Sequence, residues 1–275
     1  MSTADKIFKE MCKDILTKGV WDTDYDVRPR WEDGTPAHTI KKFGIVNRYN
    51  LQESFPILTL RKTNFRAAVD ELLWIWQKKS NNVNDLNSRI WDSWADETGS
   101  IGKAYGYQLG IKHKYKEGEF DQVDRVLYDL KNNPASRRIL TNIYNFQDLH
   151  EMHLYPCAYS MTFNDSGNKL NAILNQRSQD VLAANNWNVV QYSILVHMMA
   201  QVSGLVAGEL VHVIADAHIY DKHVPIIEEL IEMEEHEPPT LEIDNIDDFY
   251  KFTVDSFRLI NYQYNPFKVK VPIAV

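Results

Sequence analysis

The sequence predicts a single domain that mixes helices with strands, and three observations point there. Its 275 residues are enough to bury a sizeable core in one large domain. Hydrophobic residues at 44% and charged residues at 25% form an ordinary globular balance, with no bias towards disorder, collagen or coiled coil. The apolar spacing switches along the chain between the helical period and the alternation of strands.

Phe65, Ala68, Val69, Leu72, Leu73 and Trp76 recur at helical spacing, so FRAAVDELLWIW reads as a helix whose second half is apolar nearly all round. Residues 121–133 read as a second amphipathic helix, closed by Asn-Asn-Pro. SRRILTNIYN then runs extended, which sets Arg137 and Arg138 at a helix-to-strand junction. Residues 159–164 and 170–176 are strand-like runs around DSGNK, which has hairpin turn chemistry, and Cys157 lies at the hairpin mouth. QYSILVHMMAQV (191–202) is apolar on most faces and too short to cross a bilayer, so it is placed as a central buried helix. LVHVIADAHIY reads as a core strand, 224–233 as a surface helix and 234–239 as a loop. At the far end Val269, Val271, Ile273 and Val275 alternate with Lys268, Lys270, Pro272 and Ala274. Edge-strand pairing is the default reading there, and a flap that closes over a ligand is the alternative.

Charges interrupt the apolar positions of MSTADKIFKEMCKDI, and no later run is apolar for long enough to span a bilayer. A cytoplasmic protein without a membrane segment is expected. A net charge of -8 argues against broad nucleic-acid binding but leaves room for a local basic pocket. Cys12 and Cys157 are too far apart to suggest a disulfide framework or a cysteine-based zinc site.

Pro156 restrains the backbone before Cys157, which would aim the thiol as a nucleophile needs; a lone cysteine is also commonly a small buried hydrophobe. Arg137, Arg138 and Arg177, with the hydroxyl of Ser178, offer guanidinium forks for a phosphate, against the alternative of surface salt bridging. Glu71 has Ala67, Ala68, Trp74 and Ile75 at the three- and four-residue spacings. Its carboxylate is expected to be partly buried, either as a proton-transfer group of raised pKa or in a buried ion pair. Asp216, His218 and Tyr220 share one face of a strand, which suits hydrogen bonding to a sugar hydroxyl better than a metal. Asn188, at the end of ANNWN, matches one edge of uracil, although an asparagine in such a position is more commonly the cap of the following helix.

YPCAYS, the SRR about twenty residues before it, QRSQD about twenty after it, WNVVQY and DAHIY stand in the order found in thymidylate synthases. The resemblance runs from DGTPAHT through ELLWIW, IWDSWAD and AYGYQLG to the apolar carboxyl end. The short length and the DVRPRWEDGTPAHT opening resemble bacterial and phage members. The resemblance implies an α+β fold, one domain over residues 1–275, with a large mixed sheet covered by helices and packed back to back with its twin in a symmetric homodimer. It implies conversion of dUMP and 5,10-methylenetetrahydrofolate to dTMP and dihydrofolate, with no metal. A dUMP or dCMP hydroxymethylase of the same fold is the alternative, and Asn188 favours uracil over cytosine.

By the same resemblance Cys157 is the nucleophile at pyrimidine C6, Glu71 moves protons, Tyr105 helps remove the C5 proton and Asn188 reads the ring. Arg28, Gln176, Arg177 and Ser178 hold dUMP, joined by Arg137 and Arg138 from the other subunit, while Asp216, His218 and Tyr220 serve the ribose. Asp180 bonds the pterin, Ile90, Trp91 and Trp94 wall it, Arg61 and Lys62 meet the glutamate tail, and Val275 closes over the folate. Two departures stand out: Ala158 where many members have histidine, and Ala183-Ala184-Asn185-Asn186-Trp187 in place of a glycine- and proline-containing loop.

Overall fold

The computed structural model describes residues 2–274, so Val275 lies outside the described residues. The chain opens with helix α1 (Thr3–Lys18), the short strand β1 (Val20–Trp21) and the long β2 (Thr39–Asn50), followed by α2 (Phe65–Trp76) and α3 (Gly106–Gly110). A small hairpin, β3 (His113–Tyr115) and β4 (Gly118–Phe120), precedes α4 (Gln122–Asn132). Then come β5 (Leu140–Asn142), β6 (Ala158–Asp165), β7 (Lys169–Gln176), β8 (Gln179–Asp180), α5 (Asn185–Val202), β9 (Val206–Tyr220) and α6 (Val224–Glu232). A second hairpin, β10 (Thr240–Ile243) with β11 (Phe257–Ile260), lies near the end.

One mixed sheet runs β1-β2-β9-β7-β6-β5, with β8 added beside β9. β9 is parallel to β7 and β8, and the other neighbours are antiparallel. Cross-strand register sorts its side chains into two layers, as the two-residue period of strands requires. Tyr49, Leu210, Leu174, Met161 and Thr141 share a face buried under α5, which in turn packs on α2. Val46, Val213, Ile173 and Leu140 belong to the opposite face, where Val46, Ile173 and Leu140 remain 55%, 40% and 50% exposed. Against β2 and the carboxyl-terminal half of β9, α1 and α6 enclose a second apolar cluster around Phe8, Ile15, Ile219 and Ile227.

Two expectations are corrected. Residues 261–274 form no strand: Pro272 has no N–H to give a ladder, its carbonyl is bonded by His223 (Nε2···O 2.7 Å), and Val271 packs against the second cluster. The buried helix starts at Asn185, six residues earlier than its apolar run suggests, so Asn188 is inside α5 and does not cap it. Asn186 explains the early start, because its amide is satisfied from outside the helix. It accepts from Leu58 N (3.1 Å) and Thr63 Oγ1 (2.7 Å) and donates to the Pro56 carbonyl (3.1 Å).

Candidate active site

Two cavities of about 570 and 380 Å³ meet along Cys157, Asn188 and Trp94. Arg28, Gln176, Arg177, Ser178, Asp180, Asp216, His218 and Tyr220 line the larger one. The smaller is walled by Ile90 and Trp91, with Glu71 and Tyr105 behind. Most of the residues singled out in the sequence therefore converge on one place. Arg137 and Arg138 do not; both are exposed ahead of β5 and have no ion pair among the described residues. Arg61 and Lys62 line neither cavity: Arg61 is bonded to the Leu182 carbonyl, and Lys62 lies over the Tyr264 ring.

Cys157 precedes β6 and is half-buried. Its amide donates to the Tyr105 hydroxyl (3.2 Å) and its Sγ is 3.7 Å from Arg177 Nη2. Arg177 is clamped by donating to the carbonyls of Pro156 (3.0 Å) and Tyr155 (2.8 Å), which fixes the guanidinium beside the thiol. Burial pushes the thiol up, and Arg177 offsets part of that rise. Tyr105 has φ of 45°, a region unfavourable for a side-chain-bearing residue, and is held there by close packing. A Cβ on the next residue, Gly106, would lie 2.3 Å from the Ser80 carbonyl, so the backbone passes there only as glycine.

A chain of amides aims Asn188. Its Oδ1 accepts from Gln176 Nε2 (3.4 Å) and its Nδ2 donates to Gln191 Oε1 (3.3 Å), while Gln176 is itself bonded to His212. Glu71 has no ion-pair partner among the described residues, so the buried salt bridge considered above is absent from them. Instead its Oε2 accepts from Trp187 Nε1 (3.1 Å), with Gln191 and Trp91 also bonded to the carboxyl. Burial pushes Glu71 up to about 7.

Asp180 is half-buried, which alone would raise its pKa. The His223 imidazole at 3.5 Å and the amides of Leu182 and Ala183, each 3.0 Å away, hold it below the usual carboxylate range. His218 Nδ1 is 2.9 Å from Asp216 Oδ1, so the two side chains are partners on one face of β9. Among the described residues no group of three or more His, Cys, Asp or Glu side chains could hold a metal. Ile273 and Ala274 also line the larger cavity, so the carboxyl-terminal segment lies over the site.

Of the three aspartates that line the larger cavity, reading the sequence misses Asp22, which accepts from Thr39 N (2.8 Å) and Oγ1 (2.7 Å). Trp187 and Gln191 are missed as well. Gln191 stands three residues after Asn188, a helical neighbour that an earlier helix start would have exposed.

Two adjoining cavities, one at the arginine end and one walled by tryptophan, meet at a single thiol, an arrangement that suits an enzyme acting on two small molecules. A sequence profile of the thymidylate synthase family matches residues 6–275. The chain is 45% identical to a thymidylate synthase of Bacillus subtilis subsp. natto and 44% identical to that of Bacillus phage phi3T, each over the whole of both chains. The structure of the thermostable thymidylate synthase A from Bacillus subtilis superposes with a TM-score of 0.95 at 42% identity, covering 98% of this chain and 99% of that one. The chain belongs to the thymidylate synthase family, enzymes that methylate dUMP to dTMP with a methylenetetrahydrofolate cosubstrate.

Proposed function

We propose that the chain methylates dUMP through a transient covalent bond between Cys157 Sγ and pyrimidine C6. The observation that carries this reading is the position of that sulfur where the two cavities meet, 3.7 Å from a clamped guanidinium. Addition at C6 makes C5 nucleophilic and divides one hard step into two easier ones. Asn188, aimed by Gln176 and Gln191, pairs with the uracil edge. Arg28, Arg177 and Ser178 hold the phosphate, and Asp216, His218 and Tyr220 hold the ribose hydroxyl.

The smaller cavity fits a flat reduced pterin: Trp91 and Trp94 stand edge to face at 5.7 Å, and Asp180, ionised and fixed, offers an acceptor from the adjoining larger cavity. The folate supplies one carbon and a hydride. Glu71, buried and near neutrality in proton affinity, moves protons at the O4 side through water, and Tyr105 assists at the C5 proton. The tryptophan wall excludes the water that would otherwise capture the one-carbon unit.

The active unit is a homodimer joined through the uncovered sheet face. Val46, Ile173 and Leu140 supply its apolar surface, and Arg137 and Arg138, just ahead of β5, reach the phosphate of the partner's site. Tritium release from C5-labelled dUMP tests the chemistry. Cys157→Ser is expected to abolish release while dUMP still binds, and dihydrofolate should appear in step with dTMP. Release undiminished in the variant removes Cys157 from the mechanism, and hydroxymethyl-dUMP formed without dihydrofolate identifies a hydroxymethylase.

A further inference from the structure

We propose that Trp187 is a positioning residue whose indole N–H holds the Glu71 carboxylate in place for proton transfer at the cavity. The inference rests on the proton-moving role given to Glu71 above. Trp187 stands in the first turn of α5, next to Asn188, and its Nε1 lies 3.1 Å from Glu71 Oε2 on α2. Both side chains line the smaller cavity together with Cys157. One turn of one helix thus carries the amide that faces the ring and the donor that orients the carboxyl, so the two move together.

The surroundings make that donor matter. The titratable groups facing Glu71 are Asp70 on its own helix, Tyr105 ahead of α3, Tyr192 on α5 and, beyond Tyr192, the Cys157 thiol; none is a cation. Neutral donors alone favour the ionised carboxyl, and a hydrogen bond to a charged group is stronger than one between neutral groups. Gln191 divides its amide between Glu71, the Ala68 carbonyl (3.2 Å) and Asn188, and Trp91 is packed among Trp74, Trp94 and Tyr105. An indole has a single N–H, and that of Trp187 goes to Glu71.

Trp187→Phe keeps an aromatic ring and removes the donor. It is expected to lower kcat at pH 7 about tenfold and to move the ionisation that governs kcat/KM upwards by about one pH unit, with dUMP affinity unchanged within about twofold. In a Glu71→Gln background the same substitution should change kcat by less than about twofold, since the group it acts through is gone. An unchanged pH profile, or an equal loss in both backgrounds, overturns the proposal. Should Trp187→Phe fail to fold, the indole proton resonances of the wild-type chain decide. The Trp187 resonance, assigned by elimination with Phe variants of the other tryptophans, should follow a titration near neutrality and cease to do so in Glu71→Gln, whereas a Trp187 resonance that does not titrate would overturn it. A wild-type chain that releases no tritium from dUMP fails at an earlier step, and that result removes the role of Glu71 itself.

Discussion

Replacing Glu71 by glutamine should make the protein more stable and less active, with the gain in stability confined to one range of pH. Burial raises the Glu71 carboxyl from 4.5 to about 7. At about 1.4 kcal/mol for each tenfold change in proton affinity, that rise corresponds to roughly 3 kcal/mol. The sign follows from the raised value. Below pH 4.5 the group is protonated folded and unfolded, and costs nothing. Between 4.5 and about 7 the unfolded chain loses its proton first, so the wild type weakens relative to a neutral residue, and above about 7 the deficit is constant. Glutamine stays neutral and keeps an acceptor for Trp187 Nε1. Thermal unfolding of wild type and Glu71→Gln, scanned from pH 4.5 to 8.5, should show the variant unfolding about 6–12 °C higher at the alkaline end and level with wild type at the acid end. An equal offset at every pH would mean that packing, not ionisation, produces it, and no offset at pH 8.5 would refute the buried charge. Tritium release in the same variant should fall by at least a hundredfold, the scale of lost general acid–base catalysis.

Asn186→Ala removes three buried hydrogen bonds, from Leu58 N, from Thr63 Oγ1 and to the Pro56 carbonyl. A loss of about 3 kcal/mol and a Tm lower by roughly 6–12 °C are expected in differential scanning calorimetry; a shift under about 2 °C would mean that water replaces the amide. Val46→Glu combined with Ile173→Glu places charge on the uncovered sheet face, and sedimentation should then show monomers without dTMP synthesis. Full activity in such a monomer would refute the shared site.

The helices α2 and α5 and the strands β6, β7 and β9 were legible because each buries a regular stripe or face, and burial writes its period into sequence. Asn188 was found but misplaced, since an asparagine-rich ANNW resembles a cap until the partners of Asn186, more than a hundred residues away, are known. The alternating tail from Val269 to Val275 had the right period for a strand. The position of residues 269–274 is decided instead by a carbonyl bonded to His223 and by the site they line, neither of which alternation encodes. The contact between Trp187 and Glu71 leaves no local trace either, because two residues 116 apart share no pattern before α5 has packed on α2.

In the proposed dimer, charge in the larger cavity links catalysis to assembly. Its own charged lining comprises the carboxylates of Asp22, Asp180 and Asp216 and the guanidiniums of Arg28 and Arg177. His38, Lys41 and His223 lie against those carboxylates, which leaves Arg28 and Arg177 as the guanidiniums for a phosphate, and part of the Arg177 fork is already engaged at two backbone carbonyls. Such a dianion must exchange its hydration for several cations. Arg137 and Arg138 are exposed and unpaired among the described residues, and they stand at the β5 edge of the apolar face that a second copy would cover. A two-fold axis through that face would bury Val46, Ile173 and Leu140 and carry both arginines towards the partner's cavity in the same movement. In the proposed dimer, then, the surface that stabilises association and the charge that binds substrate are supplied together, and a chain that cannot pair should be unable to hold dUMP however well its own cysteine is placed.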